Sequence, residues 1–169
     1  MKKITTLVLM VLCSVLAVQT AQAQFVKAGV GLMYGSEIER LGIRADGVYQ
    51  INEEFRAVVD LGLFFPEEMG NTTLTWWELN ANANYVFHAD EEQGLTAYAL
   101  GGLNYTTIKS KFDDGTNTGS ASNSEVGLNL GAGVEYGVGF GDLFGELKFV
   151  IGDADQLNIG AGVRFPLGN

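Results

Sequence analysis

Cysteine is all but missing. Cys13 is the only one in 169 residues, and the residues before it, Met10, Val11 and Leu12, lack the small side chain that lipoprotein processing requires immediately upstream. Neither a disulfide framework nor a thiolate metal site follows from one cysteine. Histidine is equally scarce, His88 alone, so a serine-histidine-acid arrangement would have to be built around that one position. The two prolines are Pro66 and Pro166, which leaves the stretch between them free of the residue that breaks strands and helices. Positive charge is sparse too: ten Lys and Arg against twenty Asp and Glu give a formal charge of −10. An acidic chain without a basic stripe excludes nucleic acid as the expected partner. Long apolar runs are lacking as well, since the one from Leu7 to Val18 falls short of the ~20 residues of a spanning helix.

That run does have a use. Lys2 and Lys3 precede it, and Ala21-Gln22-Ala23 places small residues at both recognition positions of a signal peptidase. Residues 1–23 are therefore expected to be a cleaved export signal, leaving 24–169 as one domain.

The rest of the chain is organised like its stretch from Val126 to Val138. There Val126, Leu128, Leu130, Ala132, Val134, Tyr136 and Val138 alternate with Gly, Asn or Glu, a period of two and hence a strand. A tilted strand needs ~9 to 11 residues to cross a bilayer. Seven further segments repeat the pattern: Val26 to Tyr34, Leu41 to Ile51, Phe55 to Phe65, Trp77 to Phe87, Leu95 to Tyr105, Leu143 to Ile151 and Leu157 to Phe165. Pro66 to Thr73 and Asp113 to Asn123 are expected to be loops, and Ala89 to Gly94 and Gly139 to Asp142 turns. Backbone groups cannot face lipid unpaired, so the expected fold is all-β: an eight-stranded antiparallel up-and-down transmembrane barrel.

Charge separates the two faces. Lys27, Arg44, Arg56, Lys148 and Arg164, with Asp46, Asp60, Glu78, Glu135 and Glu146, all fall on the face opposite the apolar one. Five basic residues meet five acidic ones, the balance expected of a narrow lumen where an unpaired charge is costly. A Lys or Arg at mid-bilayer costs ~2 to 4 kcal/mol, which accounts for the uncharged apolar face. Aromatics fall near its two ends, Tyr34, Phe65, Trp77 and Tyr105 at one and Tyr49, Phe55, Phe87, Tyr136 and Phe165 at the other, the placement of interfacial girdles. With the N-terminus in the periplasm, the two longest connections are both external, as is usual in outer-membrane barrels.

The runs Ala97 to Tyr105, Gly127 to Tyr136 and Leu157 to Phe165 make the chain similar to the small eight-stranded outer-membrane barrels, the superfamily of outer membrane protein X and the membrane domain of outer membrane protein A. The resemblance implies an integral protein of the bacterial outer membrane, a monomer inserted by the barrel assembly machinery, with outer-membrane lipid and lipopolysaccharide as partners. Lys109 and Lys111, just below the longest expected loop, are read first as a solvated strand end, with contact to lipopolysaccharide phosphates as the alternative. It implies no cofactor and no metal. Some barrels of this size modify lipid A, but the topology places His88 at the periplasmic rim, away from the external leaflet, so no catalysis is expected. Eight strands enclose about as much space as side chains fill. Phe64, Tyr98 and Phe144, with the ten charges, suffice to plug it. The expected function is structural or surface interaction through the external loops. The alternatives are a narrow or gated porin-like path for small or apolar solutes, and a secreted soluble barrel of lipocalin type with its apolar face inward.

Overall fold

The computed structural model describes residues 26–167, and the expected export signal lies outside them. Nine strands are present: β1 (Val26–Gly35), β2 (Arg40–Gln50), β3 (Phe55–Phe64), β4 (Glu67–Met69), β5 (Thr72–Asp90), β6 (Leu95–Asp113), β7 (Thr118–Gly137), β8 (Asp142–Ile151) and β9 (Gln156–Leu167). Every pairing is antiparallel. The short β4 pairs with β5 alone, while β3 also pairs with β5 and β9 with β1. Eight strands therefore close on themselves, and within the closed wall no backbone edge is left open.

The closure has a definite stagger. From Val26 the register runs to Tyr49, Ala57, Ala83, Gly101, Leu130, Phe149 and Leu157, and Leu157 accepts a bond from the Ser36 amide. One circuit thus returns to β1 ten residues beyond its start. Such a shear tilts the strands against the barrel axis.

Alternation decides what lies inside. Val48, Val58, Phe64, Tyr98 and Phe144 are buried with the inward charges, while Leu32, Val59, Leu103, Leu128, Leu130, Leu147 and Phe149 are more than half exposed on the outer wall. Apolar residues outside and polar ones inside are the reverse of a lipocalin-like barrel, and that alternative falls. The two expected aromatic rims are on the outer wall. Trp77 and Tyr105 pack at 5.7 Å between ring centroids at one end, and Phe55 with Tyr85 at 5.2 Å at the other.

The structure corrects both expected loops. Pro66 to Thr73 contains β4 and the start of β5. Most of Asp113 to Asn123 is strand as well, because β6 continues to Asp113, β7 begins at Thr118, and Lys109, Lys111 and Phe112 pair with Ser122, Ser120 and Gly119. Only the four residues 114–117 turn the chain, with Gly115 at φ 81°. The strands run past the apolar belt because an antiparallel ladder needs no burial to continue; Ser and Thr satisfy a solvated strand through cross-strand contacts. A bulge between Val86 and His88 absorbs one residue near the opposite end of β5.

Candidate functional site

The lumen and the long hairpins at one end are the two places where polar chemistry gathers. In the half of the lumen nearer the short turns, Arg164 has no exposed surface. Its guanidinium lies 2.9 Å from Asp46 and 2.5 Å from Glu135, with Glu146 at 3.8 Å. It sits over the Phe144 ring at 4.3 Å and donates to the Tyr98 hydroxyl at 3.2 Å, which itself donates to Glu146 at 2.9 Å. Arg56 reaches Glu135 at 2.8 Å, and Lys27 reaches Glu135 at 3.4 Å and Asp142 at 2.7 Å.

Asp46 and Asp60 face one another directly across β2 and β3, an arrangement that like charge disfavours. Arg44 relieves it. Its Nη2 is 3.3 Å from Asp46 and 3.7 Å from Asp60, while its Nη1 is 2.6 Å from Glu146. Through Arg44 the lower cluster joins a second one, in which Lys148 approaches Glu78 at 3.1 Å and Asp60 at 3.6 Å. All ten charges singled out above thus lie in two linked clusters.

Sequence reasoning centred on charge missed the amides around the second cluster. Asn80 donates to Asp60 at 2.8 Å, Asn82 to Asp60 at 3.2 Å, and Asn158 to Glu78 at 3.1 Å. Asn104 and Asn129 both donate to Asn80. The signal was present, since each asparagine occupies an inward position of the period-two pattern. Asp142, placed in a turn by the sequence, is a partner of Lys27 instead.

Inner glycines make the space for this packing. A Cβ at Gly133 would overlap the Tyr98 ring, and one at Gly29 would overlap the Asp46 carboxylate. Among these side chains lies a cavity of about 10 Å³ bounded by Met33, Arg44, Glu78, Glu146, Lys148 and Asn158, room for one water.

Above the charged layers, on the long-hairpin side, Phe64 and Trp76 meet edge to face at 6.4 Å. With Ile38, Leu74 and Ile108 they line a mouth cavity of about 170 Å³, beside which Arg40 pairs with Glu67. The two hairpins here differ in their edges. β7 has no partner but β6 until Leu128 meets Ile151, so residues 118–127 show a free strand edge without Pro or Lys. His88 lies exposed at the opposite end of the barrel. Among the described residues no group of His, Cys, Asp and Glu is arranged to hold a metal, and Asp113, Asp114 and Asp155 instead accept backbone N–H bonds in their own turns.

No family model matches the sequence, and no curated protein gives a significant match. Solved structures do. The N-terminal β-barrel domain of Pseudomonas aeruginosa OprF superposes with a TM-score of 0.63 at 17% identity, over 88% of this chain and all of that one. Neisserial surface protein A gives 0.62 at 19% identity, over 88% and 100%. Ail, the attachment invasion locus protein of Yersinia pestis, in complex with the heparin analogue sucrose octasulfate, gives 0.61 at 17% identity, over 85% and 100%. At these identities the likeness is one of fold: the chain has the architecture of the small eight-stranded outer-membrane barrels.

Proposed function

We propose that the chain is an integral protein of the bacterial outer membrane, exported by a cleaved signal, whose lumen is closed by side chains and whose work is structural or surface interaction through its external hairpins. One observation carries this reading: a belt of uncharged apolar residues encircles the barrel while the charges within it are paired inside. Soluble monomers rarely expose apolar patches beyond a few hundred Å², and a continuous belt of that kind matches hydrocarbon. Orientation follows from connection length. The short turns, that between β5 and β6 among them, face the periplasm and the β4–β5 and β6–β7 hairpins face outward, as is usual for such barrels. Insertion through the barrel assembly machinery as a monomer fits a wall that needs no partner to close.

The external surface presents the free edge of β7 and acidic tips at Glu37, Glu39, Glu68, Asp114 and Asp153. Ail was crystallised with a polyanion; tips of this sign disfavour the same ligand here. The fold neighbours named above are surface or membrane barrels, and with His88 on the periplasmic rim the reading includes no catalysis.

The competing reading is a narrow or gated channel. Single-channel recording on the refolded protein in a planar bilayer, after a heat-shift gel has shown that it folds, separates the two. A folded and silent barrel is expected, since buried side chains from Arg164, Tyr98 and Phe144 to Glu78 and Lys148 fill the lumen. Discrete openings would replace the plugged lumen with transport.

A further inference from the structure

We propose that the notch where β3 gives way to β4 binds a small uncharged molecule, a single ring carrying a carbonyl oxygen, held against Trp76. The inference adds a ligand site at the external mouth and needs no path through the charged layers beneath it.

A break in the wall is the first argument. Pairing of β3 with β5 stops at Leu63 and Trp77, and pairing of β4 with β5 begins only at Glu67 and Leu74. Thr75 and Trp76 therefore have no register partner on that side, where Pro66 brings no N–H to offer them. The mouth cavity of about 170 Å³ lies at this break, since its lining takes Phe64 and Phe65 from one side of it and Leu74, Thr75 and Trp76 from the other.

Polarity reverses at the same height. Inward positions of β5 and β6 are polar at Glu78, Asn80, Asn104 and Thr106, then turn apolar at Trp76, Leu74 and Ile108. Thr75 and Lys109 occupy the alternate, outward positions, so the apolar side chains here serve the mouth and not the lipid. An apolar cavity of ~150 Å³ takes up benzene, and this one has room for a ring of that size.

Trp76 selects the chemistry. Its Nε1 is buried and has no hydrogen-bond partner among the described residues, a costly state for a donor. The indole as a whole is half-buried and can turn, so a ligand oxygen supplies the acceptor that the protein does not. A hydrocarbon has no acceptor to give, and neither has an ammonium. Charge disfavours anions: Glu37, Glu67 and Arg40 line the cavity, and with Arg40 held by Glu67 the surplus is negative. A neutral ring with a carbonyl meets all three conditions.

The test uses the chain lacking residues 1–23, refolded in phosphatidylcholine nanodiscs, with acetophenone, ethylbenzene and benzoate as probes. The first two match in size and differ in the acceptor, and they are compared at equal mole fraction in the lipid, which cancels their different transfer from water. Binding is followed at the indole N–H resonances of Trp76 and Trp77 and at the methyl resonances of Ile38 and Ile108. Acetophenone should shift Trp76 and both isoleucines along one saturating curve, with no saturating shift at Trp77 on the outer wall. Ethylbenzene should bind roughly threefold to tenfold more weakly, the worth of one neutral hydrogen bond, and benzoate should need a higher free concentration than acetophenone. Trp76→Phe keeps a ring and loses the donor, so acetophenone should there fall to the level of ethylbenzene, read at the isoleucine methyls. Equal affinity of acetophenone and ethylbenzene in the parent overturns the proposal. So does a response at Trp76 that grows without saturating, which marks partition into lipid alone, and so does tighter binding of benzoate. The three-probe comparison needs only the parent and decides the matter whether or not the variant folds.

Discussion

Arg164 holds Asp46 and Glu135 in a place that water does not reach. Arg164→Met keeps the bulk and removes the charge, leaving both carboxylates without their closest partner. Breaking a buried ion pair from one side costs about 3 to 5 kcal/mol, and urea unfolding of the lipid-reconstituted barrel should show a loss of that order. A loss of less than about 1 kcal/mol would mean that water relieves the cluster. Gly133→Ala tests the same packing from the backbone. The added methyl displaces the Tyr98 ring and disturbs its bonds to Glu146 and Arg164, and overpacking of this kind costs about 1 to 3 kcal/mol, read as a lower midpoint in the same titration. The inward placement of Arg164 and Glu135 is legible from alternation alone. The pairing of Arg164 with Asp46 is not, because the two lie on strands joined only through the closure of β9 on β1, which a linear sequence does not display. Asn80 and Asn129 are legible in position but not in role, since an amide carries no charge balance to mark it.

Between one strand and the next, the apolar belt sets the energetics. Leu130 is 55% exposed on the outer wall of β7, and Leu130→Arg sets a cation in the hydrocarbon at a cost of ~2 to 4 kcal/mol. Folding into phosphatidylcholine vesicles should be impaired, whereas Ser120→Arg, on the external extension of the same strand, should fold like the parent. Equal folding of both would overturn the assignment of the faces. The hairpin tip makes a separate prediction. Asn117 and Thr116 donate backbone N–H bonds to Asp114 at 2.6 and 2.9 Å, and these hold its carboxyl below the usual aspartate range. A depressed folded-state pKa stabilises the turn above the ordinary value and gives that stability up as pH falls through the depressed one. The Thr116 and Asn117 amide resonances should therefore titrate together with a midpoint under ~3.9; a midpoint at or above it would show that these bonds do not favour the ionised form. Here the sequence misleads. Asp, Gly, Ser, Thr and Asn between 113 and 123 read as loop by composition, yet Thr118 to Asn123 are strand because β6 offers them a ladder.

As a whole, the molecule separates its tasks by direction: apolar outward, charge inward, and hydroxyls and acids at the external end. The eightfold strand count was readable because most strands carry their own alternation, while Leu95 to Tyr105, with Tyr98 and Leu100 buried on its inner face, is placed partly by its neighbours. A folded barrel without bulk conductance is the outcome expected from the planar-bilayer experiment.

The ten-residue stagger governs which length changes this protein tolerates. Inserting one residue in the middle of β7 would turn Glu135 toward lipid and Val134 toward the lumen, since a shift of one exchanges the faces. Inserting two restores the faces but changes the offset at which the wall meets itself. Insertions are expected to be tolerated in the turns between strands, where extra residues meet solvent, and a library of insertions scored for folding should map the wall as a set of forbidden positions separated by permissive gaps.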